Sequence, residues 1–210
     1  MTTDFDALLP QEIAEKAEKA GITKAERDAV SSFALAVLAG AFIALGAVFA
    51  TTVATGSAAL PWGIGRLAIG TVFSLGLVLV IIAGAELFTG NNLIVMAWAA
   101  GHVSTGKMLR NWAIVFVGNA VGSVGTAALV VLAGHHTMAS GGVGITAMKI
   151  AVGKCTIGPV EAVALGVLCN TLVCLAVWLT FSARTAAGKV AVIVPPIAAF
   201  VAAGFEHSIA

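Results

Sequence analysis

Three ionisable residues stand inside long apolar stretches of this 210-residue sequence and are the first candidates for chemistry: Glu86, Glu206 and His207. Ionisable groups at membrane depth are energetically costly, so they are functional candidates by default. Each carboxylate lies at a predicted helix break, where we expect it to accept hydrogen bonds from freed backbone N–H groups. His207 can titrate near neutral pH. Its position at the second break favours a role in a pore over a purely structural one.

A fourth candidate is a cation, Lys154, which comes a few residues before the fourth apolar stretch. It is either an interfacial lysine whose aliphatic stem lies along the membrane boundary or a positive charge that attracts an anion. A different hypothesis makes Glu206 and His207 the acid and base of an intramembrane enzyme. The sequence motifs of serine proteases, zinc proteases and nucleotide-driven motors are absent, so we assign no catalytic residue and no cofactor. The three cysteines form no CxxC motif and predict no metal site.

The composition excludes a soluble protein. The chain is 60% hydrophobic and 10% charged, whereas a soluble domain has about 25% charged residues. Eleven of the charged residues fall within 1–28. We therefore predict a cytoplasmic N-terminal segment over 1–28, with a short helix over 7–21 that is either a solvated lead-in or a lid. A transmembrane channel domain follows over 29–210. The net charge of +1, without a basic run, excludes nucleic acid as a partner.

Five apolar stretches are long enough to cross a bilayer, which takes about 20 residues; they lie at about 30–53, 67–98, 111–133, 160–181 and 189–210. With the N-terminus inside, the inner segments hold eight Lys or Arg and the outer loops three, which favours a cytoplasmic N-terminus. The second and fifth stretches contain polar residues typical of broken helices. In the third, Gly118 and Gly122 indicate close helix packing.

The two halves of the chain are related by a weak repeat. The segment Ala83–Glu86 recurs as Ala203–Glu206, at an offset of 120 residues. Three spans separate the copies, so the second copy is inverted relative to the first. The sequence therefore predicts an all-α membrane protein, an aquaporin-like inverted repeat of three plus three helices with the second and fifth broken, and a transport site near the midplane. Because the third stretch has no partner, we expect the rest of the fifth helix and a sixth span to follow Ala210.

Several segments resemble the signature segments of the formate/nitrite transporter family: Phe73–Leu77, Ala83–Thr89, Gly118–Gly122, Asn170–Trp178 and Ala203–Ser208. The resemblance implies a six-helix protomer that assembles as a homopentamer in a bacterial cytoplasmic (inner) membrane. Each protomer would have one pore for formate, nitrite or a related small monovalent anion. The chain lacks the Asn-Pro-Ala motif of aquaporins and reads Asn91-Asn92-Leu93 at the first break.

The resemblance also implies roles for individual residues. It places Leu77 and Phe88 at an outward-side hydrophobic constriction and Phe73 at a cytoplasmic-side one. The remaining pore positions that it implies are Phe200 and Val173 in the lining, Thr89 and His207 as a polar pair between the constrictions, Asn170 as the pore asparagine, and Lys154 as the vestibule lysine. One stretch departs from the formate channels of the family: Cys155–Pro159 stands where they have a His-His-Thr sequence. Nitrite and hydrosulfide therefore remain alternatives to formate.

The energetics favour passage of a neutral acid. Burying an isolated carboxylate costs tens of kcal/mol in an idealised apolar medium, whereas protonating an acid with a pKa near 4 at pH 7 costs about 4 kcal/mol. We hypothesise that Lys154 concentrates the anion and that His207, held with Thr89, supplies or relays the proton. The alternative is an anion channel with a charged His207, in which half-helix N-termini stabilise the negative charge.

Overall fold

A computed structural model describes residues 7–210, which are largely helical and contain no strand. The helices are α1 (Pro10–Glu26), α2 (Ala29–Ala54), α3 (Trp62–Phe73), α4 (Leu75–Ala83), α5 (Phe88–Asn91), α6 (Ile94–Ala99), α7 (Thr105–Leu132), α8 (Gly142–Cys155), α9 (Pro159–Ser182) and α10 (Ala186–Ala203). Within residues 7–210 there are five apolar segments long enough to span a membrane: α2, the continuous pair α3 and α4, α7, α9 and α10. This confirms the predicted five-span, all-helical integral membrane protein.

The two predicted helix breaks occur at matching glycines. Gly84 ends α4 with φ 72° and Gly204 ends α10 with φ 80°. Only glycine adopts this left-handed conformation at little cost, and it is a common helix terminator. Each glycine follows an alanine and precedes a non-helical segment that contains the carboxylate, as the repeat predicts. The prolines Pro195 and Pro196 lie inside α10 and do not end it.

The N-terminal helix differs from the prediction at both ends. It begins at Pro10, which occupies the first turn as expected, and it continues past Gly21 to Glu26. Gly21 is buried, and a Cβ there would lie 3.2 Å from the Cβ of Ala97. The glycine therefore lets α1 approach α6 closely instead of ending the helix. Because α1 also packs against α7 and α9, it lies on the helical body and is not a free lead-in.

Polar side chains define where the long helices begin. The carboxylate of Asp28 accepts a hydrogen bond from the Ser31 N–H at 2.9 Å and caps α2, and this bond lowers the pKa of Asp28 from its ordinary value. Ser104 caps α7 in the same way, with a bond of 3.3 Å from the N–H of Lys107.

Glycines set the distance between α2 and α7, the most extensively packed pair of helices. A Cβ on Gly122 would clash with the carbonyl oxygen of Val37, and a Cβ on Gly118 would be 2.5 Å from the Cβ of Ala36. The predicted close packing of the third stretch is therefore confirmed. Gly125, on the next turn, faces open space: a Cβ added there would have no neighbour within 4 Å, so this glycine contributes nothing to the contact.

One helix was not predicted. Residues 142–155 form α8, where the charge pattern of the sequence predicts an outer loop. Its 14 residues are too few to cross a bilayer, and its three glycines weaken any helical signal. Because Lys154 lies in its last turn, α8 fixes where that cation stands relative to the end of α10.

Candidate functional site

The centre of the helical body contains a buried pair, Thr89 and His207, contributed by the two break segments. Thr89 Oγ1 lies 3.3 Å from His207 Nε2, and both residues are buried. The N–H of Ile209 donates to His207 Nδ1 at 3.1 Å. Since Nδ1 accepts a hydrogen bond, this network assigns the ring proton to Nε2, which donates to Thr89. The structure thus brings together the predicted polar pair, with a neutral imidazole as donor.

Apolar side chains close the space around His207. Its ring stacks on Phe200 with centroids 5.8 Å apart, and Phe73 meets Phe200 edge-on, also at 5.8 Å. The cavity at this point is lined by Ile43, Phe73, Leu77, Leu87, Val173, Ile197, Phe200 and His207. It offers about 10 Å³ to water, which is room for one molecule at most. Among the described residues that line this constriction, His207 has the only polar side chain.

A larger cavity of about 250 Å³ lies on one side of the constriction and is called the Lys154 cavity here; its charged lining residues are Arg66, Lys154 and Glu206. Lys154 donates to the Glu206 carboxylate in a partly exposed ion pair. The sequence predicted backbone N–H groups as the donors to Glu206, whereas the donor in the structure is the side chain of Lys154, from α8. This carboxylate is bonded to Lys154 and not to His207, so the two do not form the acid–base pair of the enzyme hypothesis.

A second cavity, of about 370 Å³, lies on the other side and is called the Lys24 cavity; its charged lining residues are Lys16, Lys24, Arg27, Glu86 and Lys189. Glu86 is 2% exposed and accepts hydrogen bonds from Lys24 Nζ at 2.9 Å and Arg27 Nη1 at 2.8 Å. Asn91 Nδ2 donates to the same carboxylate at 2.6 Å. The predicted backbone donors are again replaced by side chains, because α1 brings two cations to the break.

The two apolar constriction residues of the second span lie on opposite sides from those expected. Leu77 lines the Lys24 cavity, which α1 also lines, and Phe73 lines the Lys154 cavity. On the predicted topology, with a cytoplasmic N-terminus, Leu77 thus faces the cytoplasmic side and Phe73 the outward side, the reverse of what the resemblance implies. The second span begins at Trp62, on the side of the Lys154 cavity. Phe73 therefore lies about 6 Å nearer to that side along the helix than Leu77 does.

Phe88 is not among the lining residues of the constriction. Its ring packs edge-on against Phe116 of α7, with centroids 5.2 Å apart. The preceding residue, Leu87, faces both the constriction and the Lys24 cavity. The chain is extended at the break, and neighbouring residues of an extended segment point in opposite directions. Leu87 thus takes the position that the resemblance gave to Phe88.

Asn170 and Val173 lie close together on α9 but face different spaces. Val173 lines the constriction, as predicted. Asn170 lines a separate cavity of about 410 Å³ with Leu93 and Cys174. Its Oδ1 is buried and has no hydrogen-bond partner within residues 7–210. Among the described residues no hydrogen bond joins Asn170 to Thr89 or His207.

Sequence reasoning missed Asn119, which closes the first break. Its Nδ2 donates to the carbonyl oxygens of Ala36 and Glu86 at 2.8 and 2.9 Å, and its Oδ1 accepts from the Phe88 N–H at 2.8 Å. This side chain supplies the internal hydrogen bonds that irregular backbone needs at membrane depth. An asparagine in the middle of the apolar third stretch was the available signal.

Comparison with known proteins is consistent with this architecture. A sequence model described as formate/nitrite transporter matches residues 11–210. The formate channel FocA of Escherichia coli (strain K12) is 44% identical over 206 residues, which are 98% of this chain and 72% of the relative. FocA of Haemophilus influenzae is 43% identical over 204 residues, covering 97% of this chain and 72% of the relative.

Two solved structures share the fold. One is described as a pentameric formate channel with formate bound; it has a TM-score of 0.82 and 45% identity, over 86% of this chain and 71% of that one. The other is described as an FNT family ion channel, with a TM-score of 0.83 and 30% identity, over 95% of this chain and 79% of that one.

Proposed function

Because the chain belongs to the formate/nitrite transporter family, we propose that it forms a transmembrane channel for small monovalent anions, with formate as the first candidate. The observation that carries the proposal is the Thr89–His207 pair, buried at an apolar constriction between two cavities that carry cations. The charged cavities suit hydrated anions, and the constriction suits a small solute that has shed its water.

His207 is the residue that meets the solute at the constriction. Its Nε2–H points to Thr89, so an entering carboxylate can accept this hydrogen bond in place of the threonine oxygen. A charge-assisted hydrogen bond to a carboxylate is stronger than the neutral one that it replaces. For proton transfer the ring first takes up a proton from solution at Nδ1, which displaces the hydrogen bond from the Ile209 N–H. The imidazolium then passes its Nε2 proton to the carboxylate oxygen and is left neutral with its proton on Nδ1. The neutral acid crosses the apolar rings at far lower cost than the anion.

The energetic comparison supports proton-linked passage. An isolated carboxylate in an idealised apolar medium costs tens of kcal/mol, against about 4 kcal/mol for protonating an acid of pKa near 4 at pH 7. The constriction holds at most one water molecule, so an anion there would lose nearly all its hydration. Lys154 serves in this proposal to hold the anion near the entrance, in exchange with its partner Glu206.

Assembly, orientation and domain organisation follow the relatives and the charge pattern. We infer a homopentamer with one pore per protomer, as in the pentameric formate channel that shares the fold. The N-terminal segment 1–28 then lies on the cytoplasmic side of a bacterial inner membrane, ahead of the channel domain 29–210. The excess of Lys and Arg in the segments on that side supports this orientation.

Flux measurements test the proposal. Purified protein in liposomes is compared for uptake of formate, nitrite, hydrosulfide and lactate at two pH values, with imposed proton gradients or voltages. We expect uptake of the small anions to exceed that of lactate and to follow the proton gradient. Uptake no faster than in empty liposomes would refute the channel. Flux that follows voltage alone would refute the proton linkage and favour an anion channel.

A further inference from the structure

Arg66 joins the start of the second span to the end of the fifth. Its Nε donates to the carbonyl oxygen of Ala202 at 3.0 Å, and its Nη2 donates to that of Val201. These carbonyls belong to the last turn of α10, where helix carbonyl oxygens carry partial negative charge; the Val201 oxygen also accepts the Gly204 N–H at 3.1 Å. The rigid, planar guanidinium fork directs separate N–H groups at two neighbouring oxygens, whereas a lysine ammonium is a compact charge on a flexible stem.

The clamped turn leads directly to the polar pair. From Ala202 the chain passes Gly204 and reaches His207 within five residues. Gly204 has a left-handed backbone conformation and ends the helix. The last turn of α10 is therefore the nearest regular structure that holds His207 in position. Loss of the clamp would free this turn and loosen the 3.3 Å approach of His207 to Thr89.

Arg66 also determines the charge of the Lys154 cavity. The charged residues that line this cavity are Arg66, Lys154 and Glu206. Lys154 and Glu206 neutralise each other in an ion pair, whereas Arg66 bonds to carbonyls and has no carboxylate partner among residues 7–210. While Lys154 is paired with Glu206, the net positive charge of this lining therefore comes from Arg66, and Lys154 contributes only when an anion exchanges with Glu206.

We propose that Arg66 has two roles at this entrance: it positions His207 through the carbonyl end of α10, and it supplies the net charge that attracts the anion. This inference rests on the proposed channel function. The two roles predict separable effects, because charge acts on the anion concentration at the entrance while position acts on passage through the constriction.

The test compares three variants in liposomes: Arg66→Gln, Arg66→Lys and, as a control, Lys149→Gln. Lys149 is an exposed cation of α8 outside the cavity lining. Initial formate uptake gives the half-saturating concentration and the maximal rate, at low and at high ionic strength. Labelling of Cys155, which is exposed beside Lys154, with a membrane-impermeant maleimide gives the fraction of protein with this side outward.

We expect Arg66→Gln to raise the half-saturating concentration about two- to threefold at low salt, the factor that one unit charge exerts over about 8 Å of water. This increase should vanish at high salt, which screens the charge, and the maximal rate should fall. Arg66→Lys should restore the half-saturating concentration but not the maximal rate. The control should match the wild type in both.

Other outcomes overturn the inference. If Arg66→Gln elutes as an intact oligomer and matches the wild type in both parameters, Arg66 has neither role. If Arg66→Lys fails to restore the half-saturating concentration, the charge of Arg66 does not cause the change in that concentration. If Arg66→Lys fully restores the maximal rate, Arg66 has no positioning role. Should Arg66→Gln not assemble, the maximal rate of the lysine variant decides the positioning role, and a half-saturating concentration that does not rise with salt in the wild type and the lysine variant refutes the charge role. A wild type that takes up no anion refutes the channel itself, which is a different result.

Discussion

Lys24 Nζ lies 2.9 Å from both the carboxylate of Glu86 and Oδ1 of Asn91. A cation of the N-terminal helix thus binds directly to the first break, 62 residues away in the sequence. Glu86 is almost fully buried and Lys24 is partly so. The contact couples the charged N-terminal segment to the wall of the Lys24 cavity.

Removal of this contact should destabilise the protein. We expect Lys24→Gln to lower the free energy of unfolding by about 1–3 kcal/mol, because hydrogen bonds to charged groups are worth that much and the carboxylate stays buried. Thermal unfolding of the purified protein in detergent measures the change. The matched control is Lys107→Gln, which removes an exposed pair with Glu26 and should cost at most about 1 kcal/mol. Equal shifts for the two variants would contradict the prediction.

The second prediction concerns Asn119. Asn119→Leu keeps the side-chain volume but leaves the Phe88 N–H and the Glu86 carbonyl without their partner. We expect a loss of at least about 2 kcal/mol, since each buried unsatisfied group costs about 1–3 kcal/mol. Thermal unfolding is again the measurement. Ser123→Ala on the same helix removes one bond to Gly40 and should shift the transition far less; a larger shift than for Asn119→Leu would speak against the break-closing role.

Thr89 offers a test of the polar pair. Thr89→Val has the same shape but cannot accept the hydrogen bond that orients the Nε2–H of His207, so the imidazole is no longer held in position for an entering anion. We expect formate flux to fall about tenfold, equivalent to one net hydrogen bond of about 1.4 kcal/mol. Thr89→Ser keeps the hydroxyl and should retain most of the flux. Liposome uptake compares the two, and equal flux would show that the hydroxyl has no part in passage.

The contact between α2 and α7 gives a fourth prediction. Gly122→Ala places a methyl group against the carbonyl oxygen of Val37, and backbone on both sides leaves it no room. We expect this variant to lose its folded state or to unfold at a much lower temperature, because overpacking costs about 1–3 kcal/mol or more. Gly125→Ala adds the same methyl group in open space and should be neutral. Size-exclusion chromatography and thermal unfolding separate the two outcomes.

The class of the protein and most of its site were predictable from local sequence. Several features are local in the sequence and could be recognised without a structure: the five long apolar stretches, the repeat that contains Gly84 and Gly204, and the polar residues Thr89 and His207. The resemblance of short segments then indicated which of these positions face one another. The N-cap of α2 at Asp28 and the first-turn Pro10 are local in the same sense.

The tertiary structure decided what binds each charged group. Side chains from α1 and α8 satisfy Glu86 and Glu206, and the clamp by Arg66 joins residues 136 positions apart. Hydrogen bonds of this kind depend on how helices pack, and helix packing depends on the glycines and on side-chain volumes summed over whole faces. The direction of Phe88 away from the constriction, and of Leu87 into it, likewise follows from the register of the break. Sequence period alone cannot specify that register, because the segment belongs to neither helix.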